Sequence, residues 1–411
     1  MEVRVQVNSQ LAVGVAAGLV FGIFVAGHVR SVFQGKTFSQ CLFGSIQKKK
    51  CPFAPSASPA TSSSSSSCCA KSTPAPKAPE DGNTVTTSDE ERAEEREAFW
   101  FKEGLTEVFR VELALQEISF DARSSFQRVQ VIRTNQFGRT LVMDGQTQSA
   151  EADEHIYHES LVHPAMLLHK NPKKVFIGGG GEFATAREVL RHESVERCVM
   201  VDIDEVACDI CREQLPEWNG GAYEDSRFEV FYQDAKQWLE DTDETFDIVI
   251  MDICDPIEAG PGYKLYTNEF YNFVQTKLNP GGIFVTQSGP GAVYNAKEEC
   301  FTVIHSTLRS AFDVVIPYAV DVPSFGCNWG FNLAFAAEGD AAEAKKAALN
   351  RDVDEFNQEI EKRIKGGMKG MRFLDGTAFR GLTGLPKEIR QHCEEEDRVM
   401  TIDNPVFMYS S

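Results

Sequence analysis

A regular alternation of apolar strands and amphipathic segments, beginning at Lys173, constrains the fold of this chain more than any other feature. The apolar runs are rich in Val, Ile and Phe and have the length of buried strands: KVFIGG, RCVMVDID, RFEVFYQD, FDIVIMDI, GGIFVTQS, DVVIPYAV and NWGFNLAFA. Segments of helical period separate the earlier runs: ATAREVLRH, VACDICREQL, DAKQWLED, NEFYNFVQTKL and AKEECFTVIHSTLRSAF. Alternating strands and helices imply an α/β fold with a parallel, doubly wound sheet. Because no helical segment separates the last two runs, we expect the sheet to end in an antiparallel hairpin.

A smaller β region precedes this alternation. Strand-like runs separated by Gly, Asn and Asp turns are VFRVELAL at 108–115, SSFQRVQVIRT at 124–134 and RTLVMDGQTQSA at 139–150. The sequence therefore predicts a small antiparallel β-domain at 98–160 and an α/β catalytic domain at 161–340. A C-terminal extension at 341–411 should contain a charged helix and a turn-rich tail.

The N-terminal residues have a different character. Residues 11–29 are apolar except for His28 and are long enough to cross a bilayer as a helix. Basic residues follow this segment, so an anchored chain would place its body in the cytoplasm. The alternative is a targeting signal that is cleaved to leave a cytoplasmic or organellar protein. We assign residues 1–30 to this anchor or targeting segment and residues 31–97 to a disordered Ser/Pro-rich linker.

The charge of the chain excludes one class of function. Its 411 residues include 41 Lys and Arg and 61 Asp and Glu, for a net charge of -20. A nucleic-acid-binding protein needs a basic surface against phosphates, so no nucleic-acid partner is expected. An acidic protein suits a cationic substrate, although acidity also serves solubility alone.

The eleven cysteines do not predict a metal site. Cys208 and Cys211 form a C-x-x-C within a helical segment, but no second pair completes the four ligands of structural zinc. We therefore predict reduced thiols and no bound metal.

A glycine-rich turn follows the first strand of the alternating region. Residues 178–181 are all glycine and Glu182 comes next, at the start of a helix. Glycines allow a ligand to approach the backbone closely. A carboxylate at Glu182 would repel a phosphate, which disfavours a dinucleotide. The same glutamate could instead simply stabilise the first turn of the helix.

Further acids stand at the ends of the next three strands. Asp202 lies where a carboxylate commonly binds the ribose hydroxyls of a nucleoside, and Asp234 could accept from an adenine amino group. Asp252 and Asp255 follow the fourth strand. Carboxyl ends of parallel strands share one crevice, so these acids should meet in a single cavity. The last pair would attract a cation or act as a base toward an amine; a metal pair or a solvated turn are the alternatives.

These segments resemble a known family. IGGGGEFATAREVLRH, MVDIDEVACDICREQLP, YQDA and MDICDPIEAGP are similar, in order, to signature segments of the spermidine and spermine synthases. SSFQRVQV, LVMDGQTQ and ADEHIYHES extend the resemblance, which spans residues 99–336. It implies a class I methyltransferase-like fold and an aminopropyltransferase. It also implies decarboxylated S-adenosylmethionine as co-substrate with no other cofactor, a small-molecule polyamine substrate, and a homo-oligomer.

The resemblance also implies residue roles. The residues that would contact the aminopropyl donor are Gln127, His158, Glu182, Asp202, Asp234 and Ala235. Those that would contact the polyamine are Gln148, Tyr157, Asp252, Asp255 and Phe325, with Asp252 removing the proton of the attacking amine. Glu182 stands where the family usually has Asp, and His158 where many members have Gln. The donor keeps only an ammonium at the end of its side chain, which an acid at Glu182 would favour.

The acceptor is predicted from one further segment. Many spermidine synthases carry Tyr where VPSFGCNWGF places Phe325, with Trp329 close behind. This pattern and the tail GGMKGMRFLDGTAFRGL resemble thermospermine synthases of plants and algae, which implies spermidine as acceptor and thermospermine as product. The two aromatic residues could equally be ordinary core residues. The alternatives are a spermidine or spermine synthase, a methyltransferase of the same fold, or a nucleoside-binding regulatory module.

Overall fold

The structure is a computed structural model that describes residues 99–106, 109–258, 260–293, 296–297, 300–336 and 348–408. The predicted membrane or targeting segment at 1–30 and the predicted linker at 31–97 lie outside these ranges. Every helix within the described ranges is too short or too polar to cross a bilayer.

The first sheet is antiparallel and five-stranded, with its strands in sequential order. Its strands are β1 Phe99–Thr106, β2 Phe109–Arg123, β3 Arg128–Thr134, β4 Gly138–Met143 and β5 Gln146–Ala150. Asp144 and Gly145 connect β4 to β5 with φ of 48° and 89°, as a tight Asp-Gly hairpin requires. The predicted small antiparallel β-domain is thus confirmed, with two differences. The predicted single run at 139–150 is a hairpin of two strands, and β1 was not predicted.

The second sheet has seven strands. They are β6 Lys174–Gly179, β7 Arg197–Asp202, β8 Phe228–Tyr232, β9 Phe246–Asp252, β10 Leu278–Pro290, β11 Val314–Val322 and β12 Cys327–Phe335. Their order is β11-β12-β10-β9-β6-β7-β8, and only β12 runs antiparallel to its neighbours β10 and β11. This is the predicted doubly wound sheet with a final hairpin. The strand order reverses between β6 and β9, where α/β sheets place their ligand crevice.

Helices cover both faces of this sheet. They are α1 Glu154–Leu168, α2 Ala184–Leu190, α3 Glu205–Gln214, α4 Pro216–Asn219, α5 Ala235–Asp241, α6 Asn268–Gln275, α7 Phe301–Arg309, α8 Val353–Arg363, α9 Gly367–Gly370, α10 Gly376–Leu382 and α11 Lys387–Glu395. Alternate residues of β6 enter opposite cores: Val175 and Ile177 pack on one side and Phe176 on the other. Burial on both faces explains why the strand is apolar without alternation.

The small sheet is attached to the larger domain by an apolar contact. Val131 and Leu141 of the small sheet belong to one buried cluster with Ile210 of α3 and Trp218 of α4. The Trp218 indole N–H also donates to the Ser149 hydroxyl across 2.6 Å. This packing holds the small sheet over the crevice between β6 and β9.

The C-terminal extension is more helical than predicted. Four helices, α8 to α11, occupy 353–395, where the sequence predicted one helix and a turn-rich tail. The buried carboxylate of Glu159, on α1, accepts hydrogen bonds from the backbone N–H groups of residues 372–374, at 2.7 to 2.9 Å. Arg363 of α8 donates to the carbonyls of Met166 and His169 at the end of α1. The extension therefore fixes the helix that carries Tyr157 and His158.

Candidate active site

The glycine-rich turn after β6 lies directly against the end of β9. Gly179 and Gly180 both have φ of +78°, a left-handed conformation that favours glycine. The Gly180 N–H donates to the carbonyl of Asp252 across 2.8 Å. A Cβ on Gly179 would lie 2.2 Å from that carbonyl oxygen, so only glycine permits this approach.

The strand-end acids meet in one cavity of about 370 Å³. All but one of the predicted site residues line it: Gln127, Gln148, Tyr157, Glu182, Asp202, Asp234, Ala235, Asp252, Asp255 and Phe325, together with Trp329. The rule that parallel strands end at one edge thus placed the acids correctly in the fold. The exception is His158, which lies behind Glu182.

Asp252 is held by two hydroxyl groups. The Tyr157 hydroxyl donates to Oδ1 across 2.8 Å, and the Thr185 hydroxyl donates to Oδ2 across 2.6 Å. Tyr157 comes from α1 and Thr185 from α2, so two helices fix the carboxylate that ends β9. Each oxygen keeps a lone pair that can accept a further proton.

Glu182 belongs to a buried chain of charges. The His158 Nε2 lies 2.6 Å from the Glu182 carboxylate, although its N–H is not aligned as a hydrogen bond. Its Nδ1 lies 2.9 Å from Glu154, whose carboxylate also accepts from Arg187 at 2.8 Å. Burial opposes charge on His158, but the carboxylates of Glu182 and Glu154 raise its pKa to about 10. Burial raises the pKa of Glu182, and the cationic His158 opposes this effect.

Two other acids that line the cavity, Asp202 and Asp234, already accept hydrogen bonds from backbone N–H groups. Asp202 Oδ1 accepts from the Asp204 N–H across 2.8 Å, and burial raises the pKa of Asp202 to about 6. Asp234 caps α5 by accepting from the Gln237 N–H at 3.0 Å. The predicted Gln127 donates its amide to Asp204 at 3.0 Å, which ties the residue before β3 to the N-cap residue of α3.

Gln287 organises the opposite side of the cavity. Its amide nitrogen lies 2.9 Å from Asp255 Oδ1 and 2.7 Å from the Tyr266 hydroxyl. The Trp329 indole N–H donates to the Gln287 amide oxygen at 3.1 Å. Asp255 is thus positioned by a glutamine from β10 that was not predicted from the sequence.

An aromatic wall lies beside Asp255. The Phe325 ring is 5.9 Å from Tyr157 and 4.8 Å from Trp329, measured between ring centroids. Both contacts are edge-to-face, which aromatic pairs favour. Phe325 is buried and also lines the cavity, so it packs in the core and borders the candidate site.

Three site residues were missed from the sequence: Thr185, Gln287 and Glu103. Glu103 of β1 is buried, lines the cavity and accepts from the N–H and hydroxyl of Thr147 at 2.9 and 2.5 Å. Burial raises the pKa of Glu103. An acid inside an otherwise strand-like run, FWFKEGLT, is the signal that could have indicated it. Among the described residues, no cluster of three or more His, Cys, Asp or Glu has a metal-binding arrangement.

Comparison with known families agrees with this geometry. The model of the spermine/spermidine synthase domain matches residues 154–344. The model of the spermidine synthase tetramerisation domain matches residues 99–151. The two matches correspond to the catalytic sheet and the small sheet.

Individual relatives decide the family. A polyamine aminopropyltransferase from Aeropyrum pernix is 42% identical over 310 residues, covering 75% of this chain and 95% of that protein. The chain belongs to the spermidine/spermine synthase family. It is also 40% identical over 316 residues to the thermospermine synthase ACAULIS5 of Arabidopsis thaliana, covering 77% of this chain and 89% of that protein.

Solved structures show the same fold. A spermidine synthase in complex with the transition-state analogue AdoDATO has a TM-score of 0.65 and 25% identity, covering 73% of this chain and 97% of that one. The spermidine synthase from Thermotoga maritima has a TM-score of 0.63 and 24% identity, covering 73% and 96%. The methyltransferase-like fold implied by the sequence is confirmed.

The contact of Gly179 with Asp252 yields a prediction. Gly179→Ala should destabilise the protein by the cost of a left-handed non-glycine residue, about 1–2 kcal/mol, plus about 1–3 kcal/mol for overpacking. Gly145→Ala is the matched control, because Gly145 also has a positive φ but nothing lies near its added Cβ. Denaturant unfolding measures both costs. Equal costs for the two variants would contradict the proposed steric role of Gly179.

Proposed function

We propose that this enzyme transfers the aminopropyl group of decarboxylated S-adenosylmethionine to spermidine, giving thermospermine and methylthioadenosine. The observation that carries the proposal is the position of Asp252. Its carboxylate is fixed by Tyr157 and Thr185. Asp252 ends β9, which has β6 and then β7, with Glu182 and Asp202, on one side and β10, whose Gln287 contacts Asp255, on the other. A base at the end of β9 can therefore serve a donor on one side and an amine on the other.

The side formed by β6, β7 and β8 would hold the donor. Asp202 would accept from the ribose hydroxyls, Asp234 and Ala235 would border the adenine, and Gln127 would close this side from above. The Glu182 carboxylate would pair with the donor's terminal ammonium. A spermidine synthase of the same fold has been solved in complex with the transition-state analogue AdoDATO, which supports a donor of this class.

His158 would act through Glu182 rather than by touching the donor. Its imidazolium is buried, does not line the cavity and lies 2.6 Å from one oxygen of the Glu182 carboxylate. A partly neutralised carboxylate is less costly to bury before the donor arrives. This role revises the direct donor contact that the family resemblance implied for His158.

The transfer step follows from the position of Asp252. The nitrogen of the attacking amine forms a bond to the aminopropyl carbon next to the sulfonium, and the carbon–sulfur bond breaks with its electron pair returning to sulfur. Asp252 accepts the proton that the amine loses. Methylthioadenosine leaves as a neutral thioether. Holding the amine and carbon in line would supply much of the acceleration.

The acceptor would lie along the opposite side. Asp255 and Glu103 are carboxylates for ammonium groups, while Phe325 and Trp329 offer apolar surface to the methylene chain. Gln148 and Tyr157 also line this cavity. A cavity with both acidic and aromatic surface matches the ammonium and methylene groups of a polyamine.

Spermidine is proposed as acceptor on two grounds. The Arabidopsis relative is named a thermospermine synthase, and the tail at 366–382 resembles that group. Phe325 lacks a hydroxyl, which leaves the wall beside Tyr157 more apolar for a longer acceptor. A spermidine or spermine synthase is the alternative, since the Aeropyrum relative has only the general name polyamine aminopropyltransferase.

Two further features of the chain belong to the proposal. We propose self-association through the small sheet, because Phe99, Trp100 and Ile118 are exposed there and the matching domain model is named for tetramerisation.

Residues 11–29 are proposed as a membrane anchor that leaves the rest of the chain on the cytoplasmic side, or as a cleaved targeting signal.

The first prediction of the proposal concerns the donor. Decarboxylated S-adenosylmethionine should bind at least about tenfold more tightly than S-adenosylmethionine, a difference of about 1.4 kcal/mol. The carboxylate of the latter would lie near Glu182. Glu182→Gln should reduce this difference in affinity between the two molecules. Calorimetric titration measures both affinities. Equal affinities for the unaltered enzyme would favour the methyltransferase alternative.

The second concerns the base. Asp252→Asn should lower kcat by about a hundredfold or more, the usual contribution of a positioned base. Asp234→Asn is the matched control, an acid lining the same cavity that should raise the donor KM and leave kcat nearly unchanged. Steady-state kinetics on the folded variants measure both parameters. A near-normal kcat for Asp252→Asn would contradict the role of Asp252 as the base.

The third concerns the acceptor and tests the proposal as a whole. Spermidine should be consumed much faster than putrescine, and Phe325→Tyr should shift the preference toward putrescine. Thermospermine and spermine have equal mass, so products are identified by chromatographic separation against both standards. Spermine as the exclusive product would refute the thermospermine assignment, and use of putrescine alone would identify a spermidine synthase.

A further inference from the structure

The last described residues, 400–408, cross the face of the catalytic domain next to the acceptor side of the cavity. We call this segment the C-terminal strap. It lies beyond both family-model matches, which end at residues 151 and 344. Nothing in the proposed chemistry accounts for it.

The beginning of the strap is fixed to two helices. Met400 is fully buried, its N–H donates to the Thr307 hydroxyl of α7 at 2.9 Å, and its carbonyl accepts from the Asn268 N–H at the start of α6 at 2.8 Å. The Ile402 N–H lies 3.3 Å from both oxygens of Glu269. The strap therefore starts from an anchored position.

The end of the strap lies against the loop that follows Asp255. The Met408 N–H donates to the carbonyl of Pro256 at 2.7 Å, directly after Asp255 in the chain. The Phe407 ring packs edge-to-face on Tyr263, with centroids 5.5 Å apart. The same loop lines the cavity through Ile257, Lys264 and Leu265.

The Met408 side chain reaches the other acceptor-side element. It is 2% exposed and shares a buried cluster with Tyr266, whose hydroxyl contacts Gln287. Its terminal carbon lies against Gly289, where an added Cβ would come within 2.3 Å. The Gly289 N–H in turn donates to the Gln287 amide oxygen at 2.9 Å. One methionine thus supports the backbone on both sides of the Asp255–Gln287 contact.

The donor-side acids depend on other elements. Glu182 follows β6 and Asp202 ends β7, whereas the strap lies against the end of β10 and the loop after β9. Support by the strap is therefore directed to one half of the cavity.

We infer that the C-terminal strap is a positioning element for the polyamine acceptor, with Phe407 and Met408 holding the loop that carries Asp255. Since the identity of that half as the acceptor side comes from the proposed function, the inference rests on it. The strap touches no reacting atom. It acts by fixing Asp255 and Gln287.

Kinetics and hydrogen exchange test this role together. Phe407→Ala and Met408→Ala should each raise the acceptor KM about tenfold or more, with donor affinity changed less than about twofold and kcat changed less than KM. Amide exchange in the peptide 253–266 should accelerate, and exchange in α3 should not. Ile402→Ala is the control, since its side chain is 45% exposed on the same strap. Met408→Leu should restore the acceptor KM by conserving volume.

The outcomes separate the inference from the proposed function. Unchanged amide exchange in the peptide 253–266 of the Phe407→Ala and Met408→Ala variants would overturn the strap's role. An equal loss of donor and acceptor affinity would also overturn it, because that result indicates general destabilisation. If Met408→Ala does not fold, Phe407→Ala, whose side chain is half-buried, decides alone. If the unaltered enzyme transfers no aminopropyl group to any polyamine, the proposed function fails, while the exchange measurement still decides whether the strap holds the loop.

Discussion

The site depends first on how closely the backbone of β6 approaches the backbone of β9. The carbonyl of Asp252 lies where any side chain on Gly179 would be, and the next glycine donates a hydrogen bond to it. This approach brings the ends of two strands that are distant in the chain to one point and leaves the Asp252 carboxylate facing the cavity. Asp202 lies at the same edge of the sheet because it ends β7, the neighbour of β6, and Asp255 lies there because it follows β9 itself.

An acidic cavity of this kind is costly before its cationic ligands arrive. Buried carboxylates near one another raise each other's pKa and resist ionisation. The protein reduces this cost unevenly. Around Glu182 it places the cationic His158, which is held by Glu154, and Glu154 is in turn paired with Arg187. Around Asp252 it places two hydroxyl donors. Asp202 accepts from backbone N–H groups, which only partly offset its burial, and its pKa is raised to about 6.

The sequence predicted the part of the site that depends on strand ends. The alternation of apolar strands with helical segments and the rule that parallel strands end at one edge of the sheet suffice to bring five acids together: Glu182, Asp202, Asp234, Asp252 and Asp255. They do not reveal contacts that depend on packing between distant elements. Glu103 reaches the cavity only because β1 lies beside Thr147, 44 residues away. His158 was expected to contact the donor, but it does not line the cavity and lies against the Glu182 carboxylate instead. The sequence predicted one charged helix in the C-terminal extension; the three helices that follow it were not predicted, because each is short, with four to nine residues.

The division of supports between the two halves of the cavity has a mechanistic consequence. The donor half is built on β6, β7 and the small sheet through Gln127, whereas the acceptor half is built on the loop after β9, β10 and the C-terminal strap. Asp252 belongs to both halves: its backbone carbonyl accepts from the glycine turn, and the residues that follow it form the loop that carries Asp255. A displacement of that loop would therefore move Asp255 more than Asp252, since hydroxyls from α1 and α2 hold the Asp252 carboxylate independently. Acceptor binding can vary in such an arrangement while the base stays aligned with the donor.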